Sequence, residues 1–273
     1  MKKILSLIAI SIFALGVSLA KVEASHSWGN YHWARTSNPF TLITVDSVTS
    51  TWDATFDTAL SDWTQSSILD LAKENGLSSS SERKRCRPFL GKIRACNFTY
   101  GNNGWLGIAQ IWITGGTHIA QGVVKLNDTY FNTSTYNNTA WRNLVMCQEI
   151  GHTFGLDHQD ENFKNVNLGT CMDYSNNPLT NQHPNAHDYD ELLIIYSHLD
   201  TSNTIASFTQ SAPAGKGFDI DTNDPREWGR LVRESTRASV YERELGGGER
   251  LLTHVFWAEE DGRTIRSERS ATR

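Results

Sequence analysis

The stretch "FTLITVDSV" (residues 40–48) is rich in β-branched and aromatic residues, and behind it Trp52, Phe56, Leu60 and Trp63 recur at helical spacing. This pattern predicts a strand followed by an amphipathic helix whose aromatic stripe is core. "SILDLA" (67–72) and "IRACNFTY" (93–100) read as further strands, and the nearly continuous apolar run "WLGIAQIWI" (105–113) reads as a central one. "HIAQGVVKLND" (118–128) is more polar and is interrupted by Gly122, which predicts an edge strand. From Thr139 or Ala140 the periodicity turns helical and runs to about Phe154, with Gly155 as the stop. Residues 156–184 are loop-like, and "HDYDELLIIYSHL" (187–199) is a last helix, with Asp188 as N-cap and Leu192, Ile195, Tyr196 and Leu199 on its buried side.

The flanks differ in texture. Residues 25–40, "SHSWGNYHWARTSNPF", are polar and aromatic without a period, too short for a folded prodomain, and are expected to pack as an extended arm. Beyond Asp200, residues 201–230 read as linker, "SVYERELGGGERLLTHVFWA" (239–258) carries two β-prone runs separated by three glycines, a hairpin signal, and the end is charged and expected to fray. The expected organisation is therefore a leader (1–24), a main α/β (α+β) domain (25–200), a linker (201–230) and a small hairpin appendage with a charged tail (231–273).

The leader expectation rests on Lys2 and Lys3, the apolar run behind them and the small residues that close it, a secretory signal with cleavage after Ala20 or Ala24. The mature chain should be secreted, with no membrane partner, and monomeric. A formal net charge of -5 offers no basic field for phosphate, which argues against nucleic acid. The basic run "ERKRCRPFLGKIR" reads as a solvated loop. Four cysteines in an exported chain favour two disulfides, for which three pairings are possible; Cys86 with Cys96 would close a short loop between two predicted strands.

The candidate chemistry lies in "CQEIGHTFGLDHQDE" (147–161). On a helix, residues 148 and 152 project from one face a turn apart, close enough to share a metal ion, with Glu149 beside them. Gly155 allows the chain to turn back and bring His158 to the same ion. This stretch resembles the HExxHxxGxxH signature of the metzincin clan of zinc endopeptidases: Glu149, His152, Gly155 and His158 match, and Gln148 stands where the first histidine belongs. "CMDY" (171–174) is similar to that clan's methionine turn.

The resemblance implies a zincin-like twisted mixed sheet with an active-site helix, Met172 as the floor of a zinc site, and Gln148, His152 and His158 as ligands. It also implies Glu149 as general base, Tyr174 as an oxyanion partner, a Cys147–Cys171 disulfide clamping turn to helix, and an extended peptide or protein substrate laid along the edge strand 118–128. Gln148 is a weaker donor than histidine, and His118, His183 or His187 could complete the shell; Cys147 as a thiolate ligand is offset about 100° around the helix. Two other readings stand beside the secreted zinc endopeptidase. They are a metal-poor pseudoprotease that binds peptides or proteins, and a closed structural metal site.

Overall fold

The computed structural model describes residues 26–206, 220–260 and 263–264. The expected leader lies outside the described residues, as do parts of the linker and the charged tail.

In chain order the elements are β1 (His32–Trp33), β2 (Phe40–Ser47), α1 (Ser50–Trp63), β3 (Leu69–Asn75), α2 (Ser80–Arg85), β4 (Ile93–Phe98), β5 (Trp105–Thr114) and β6 (His118–Asn127). They continue with α3 (Asp128–Phe131), α4 (Thr139–His152), α5 (Ala186–Ile195), β7 (Arg230–Glu234), β8 (Ala238–Gly246) and β9 (Glu249–Trp257). The architecture is mixed α/β, with a large mixed sheet in the order β3-β2-β4-β6-β5-β9-β8-β7 and β1 added alongside β6. β2, β3, β4 and β6 run parallel, and β5, β9, β8 and β7 continue the sheet with antiparallel pairings.

The aromatic stripe of α1 behaves as its spacing demands: Trp52, Phe56, Leu60 and Trp63 are all buried. Trp63 also donates from its indole nitrogen to the Cys147 carbonyl at 3.0 Å, which seats α1 against α4. α4 begins where the Asn138 side chain accepts from the Trp141 amide at 3.0 Å. It ends three residues before Gly155, whose φ of +92° turns the chain. A Cβ at Gly155 would lie 1.8 Å from the Tyr31 carbonyl oxygen, so the glycine also admits the N-terminal arm. Cys86 is bonded to Cys96 and Cys147 to Cys171, the latter tying α4 to the turn that carries Met172.

Four expectations change. The strand expected at an edge, β6, lies between β4 and β5. Its polar residues have another cause: Lys125 is buried with its ammonium on Thr222 and Asn223, and Gly122 lies where a Cβ would meet Ile93 and Thr153 at a tight 3.3 Å. The hairpin is no appendage, because β9 pairs along β5 from Trp105 opposite Trp257 to Ile113 opposite Arg250. Its turn places Gly247 and Gly248 at φ of 64° and 79°, the positive pair that a tight hairpin needs.

In α5 the N-cap is Asn185, not Asp188, which instead accepts a hydrogen bond from the Asn185 amide, while Leu199 falls beyond the helix and is exposed. The basic run is only partly solvated: Lys92 and Arg94 are buried, the latter bonded to Ser47, Glu82 and backbone carbonyls.

Gly155→Ala is expected to cost about 2–4 kcal/mol, from the left-handed backbone and the collision with the arm. Chemical denaturation measures it; a loss below about 0.5 kcal/mol would mean that the arm is not seated against this turn.

Candidate metal centre

α4 presents Gln148, Glu149 and His152 in its last turn and a half, all fully buried. The turn at Gly155 returns His158, and the Nε2 atoms of His152 and His158 come within 3.1 Å of each other. His152 Nδ1 lies 2.8 Å from the Leu156 carbonyl, which fixes its proton on Nδ1 and leaves Nε2 with a lone pair. A third imidazole arrives from the hairpin: His254 of β9, with ring centroids 4.1 Å from His152 and 4.9 Å from His158. Ligand atoms of the three histidines all lie within 4.8 Å of one another.

Glu149 is committed to this third histidine. Its Oε2 lies 3.0 Å from His254 Nδ1, while Oε1 and His254 Nε2 are buried without hydrogen-bond partners. The carboxylate therefore orients the ring with its Nε2 free, the arrangement seen around metal-binding histidines generally. Gly107 of β5 makes room for it, since a Cβ there would stand 2.8 Å from Glu149 Oε1. Gln148 donates from Nε2 to the Cys171 carbonyl at 2.9 Å, and its Oε1 is buried and unpartnered. Buried lone pairs left without partners are costly unless a cation joins them, and three imidazole nitrogens suit zinc.

The surroundings are specific. Met172 is fully buried with Sδ against Gly151, where a Cβ would meet it at 2.7 Å. The Tyr174 ring lies 3.9 Å from that of His158, and burial pushes its hydroxyl well above the usual range. Trp28 of the arm stacks on His152 at 4.6 Å and 3°. Asp157 is buried and clamped by Arg233 of β7. Burial alone would raise its carboxyl; hydrogen bonds from His158 and Arg233, with their charges, hold it below the usual carboxylate range.

Burial, reinforced by mutual repulsion of positive charge, holds His152 and His254 well below the ordinary histidine value; burial also lowers His158. Glu149 moves the other way, raised well above its ordinary value by burial.

The other candidate histidines stand elsewhere. His118 joins His32 and Asp200, His183 pairs with Asp62 at the surface, and His187 stacks on His26. His254, 105 residues from Glu149 in sequence, was not among the candidates. Its signal was faint but legible: in "LLTHVFW" it shares the alternating face of Leu252 and Phe256, an apolar face on which a histidine needs a reason.

The fold and site define a mixed α/β protein with a buried three-histidine cluster. No protein-family model matches the chain, and no curated protein matches it. Among solved structures, high choriolytic enzyme 1, a hatching enzyme zinc-protease from Oryzias latipes (medaka fish), is similar at 11% sequence identity and a TM-score of 0.32, with 61% of this chain and 94% of that chain covered. A likeness at that TM-score carries no argument for fold or activity.

The depressed histidines set a pH dependence. Unfolded histidines take up protons near pH 6.5, whereas His152 and His254 do so only well below it, so the metal-free protein loses stability as pH falls below about 6.5, by up to about 1.4 kcal/mol per pH unit for each of these two rings, and the lowered His158 adds in the same direction. Glu149 contributes with opposite sign, since its raised value costs stability as pH rises above about 4.3. Urea unfolding of metal-free His254→Gln against wild type isolates one ring. The loss between pH 6.5 and 5.0 should shrink by about 1–2 kcal/mol, and an unchanged slope would mean that His254 titrates as a solvated histidine.

Proposed function

We propose that this chain is a secreted zinc-dependent peptidase whose metal is held by His152, His158 and His254, with Gln148 as an auxiliary oxygen donor. The observation that carries the reading is the 3.1 Å approach of the His152 and His158 Nε2 atoms beside Glu149 on the same helix, with a free His254 Nε2 added to them. Bound zinc supplies a Lewis acid that polarises a carbonyl and acidifies water. Glu149 uses Oε2 to hold His254 and keeps Oε1 to take a proton from the attacking water and pass it to the leaving amine. Burial raises its affinity for that proton. Tyr174, kept protonated by burial, donates to the developing oxyanion.

The substrate class is a peptide or protein segment. Its approach is not along strand 118–128, as the sequence suggested, because β6 is paired with β4 on one side and with β5 on the other. Trp28 covers His152, on an arm held here by the Trp28 amide on the Gly155 carbonyl (2.8 Å) and the Asp157 amide on the His26 carbonyl (2.6 Å). Two disulfides accord with an oxidising compartment, and no helix among the described residues is long and apolar enough to cross a membrane.

A second reading, a closed structural metal centre without hydrolysis, is favoured by one observation: Glu149, His152 and His254 are all fully buried. A peptide-library digestion with the zinc-loaded chain separates the two. Cleavage should fall at least about 100-fold in zinc-saturated Glu149→Gln. It should rise in Trp28→Ala. His254→Ala should weaken zinc at least about tenfold, and more than Gln148→Ala does. Tight zinc with no cleavage by wild type or Trp28→Ala would support the structural centre instead.

A further inference from the structure

We propose that His32, His118, His198 and Asp200 form a second site for a zinc-like divalent cation, on the opposite flank of the N-terminal arm from the His152 cluster. His32 and His118 are placed side by side by the parallel pairing of β1 with β6, in which they are register partners. His198 and Asp200 come from the segment that follows α5, and that segment is laid on the arm by the Asp200 amide bonding to the Arg35 carbonyl at 2.9 Å.

His32, His118 and Asp200 offer donor atoms that all lie within 4.8 Å of one another, and the half-exposed His198, outside that set, approaches two of them and would swing in to complete the shell. Asp200 Oδ1 lies 3.3 Å from His32 Nε2, 3.2 Å from His118 Nε2 and 3.7 Å from His198 Nε2, and the His198 and His32 Nε2 atoms are 3.1 Å apart. Donors held about 2.0–2.1 Å from one tetrahedral ion stand about 3.3 Å from each other.

The orienting shell points the same way. His32 Nδ1 is 2.8 Å from the Asn30 carbonyl, so the neutral ring carries its proton there and turns a lone pair towards Asp200 Oδ1 and His198. Asp200 Oδ2 is engaged by the Arg35 guanidinium at 3.0 Å and the Arg35 amide at 3.1 Å, which leaves Oδ1 for the cluster. Arg35 also donates to the carbonyls of Tyr196 and His198, fixing the backbone that carries the last imidazole.

Lone pairs of imidazole and a carboxylate oxygen at this separation repel unless a cation lies among them. Three nitrogens and one oxygen select a first-row divalent ion over calcium or magnesium. The side chains of His32 and Asp200 are 4% and 8% exposed, whereas those of His118 and His198 are 25% and 50% exposed, so an ion can enter from solvent. Once bound, it would staple the arm to the sheet and to the segment after α5.

The test uses the chelator-stripped full chain with zinc chloride, and cobalt(II) as a spectroscopic probe. Wild type should take up two ions. His118→Ala and His198→Ala change partly exposed side chains, and each should weaken one of the two sites at least about tenfold while leaving the other intact. His152→Ala should keep the ion bound by the His32 cluster. If the His152 centre binds no metal, wild type takes up one ion, which His118→Ala loses and His152→Ala retains; that outcome upholds this site and removes the other. Zinc uptake unchanged in both His118→Ala and His198→Ala overturns the proposal. So does a cluster satisfied by protons alone, seen as wild type binding no ion that depends on His118 or His198 at pH 7.5.

Discussion

The pairing of β9 with β5 is the contact on which the site rests. It places Ala109 opposite His254, and because side chains alternate along a strand, Leu252, His254 and Phe256 face α4 while Leu251, Thr253, Val255 and Trp257 face away. Both faces hold the register. Gln110 donates to Thr253 across the pair at 3.1 Å, and Trp105, Ile108, Val255 and Trp257 pack with Trp228 and Tyr241 on the far side. A slip of one residue would carry His254 out of the cluster and leave Glu149 buried with neither oxygen bonded. The strand that completes the sheet and the residue that completes the centre are therefore one structural event.

Much of the fold is written locally. The helical spacing of Trp52, Phe56, Leu60 and Trp63, the Asn138 cap of α4 and the three glycines of the hairpin each follow from short-range chemistry. The place of β6 was not legible, since a polar strand looks like an edge whether water or a distant loop satisfies it. Lys125 is satisfied by Thr222 and Asn223, nearly a hundred residues away. For the same reason the candidate site was legible only in part. Glu149, His152 and His158 are set by one helix and one turn, whereas His254 reaches them only through the sheet.

Burial turns these contacts into electrostatics. Each imidazole that enters the cluster loses hydration and raises the cost of charging its neighbours, so the rings are held neutral and ready to donate lone pairs. The same dry surroundings drive Glu149 towards its protonated form, against the charge that a nearby cation would impose. Asp157 escapes this because Arg233 reaches it from β7, so the C-terminal strands both clamp the His158 loop, through β7, and supply His254, through β9.

Three covers meet over Glu149, and their anchorage is unequal. The Met172 turn is bound by the Cys147–Cys171 bond and by Thr170 on Asp188, and β9 by its whole length and a tryptophan cluster. Between residues 26 and 31 the arm is held by a few backbone bonds, by the His26 ring on the Asp157 carbonyl, beside Asp188 and against His187, by the Trp28 stack and by Arg250 over the Tyr31 ring. None of these arm contacts is covalent or part of a long strand pairing, so of the three elements the arm is the one that local opening would release first. The arm is fixed again at His32, where β1 joins β6, which confines such opening to the few residues that cover the centre and leaves the ligand-bearing elements in place.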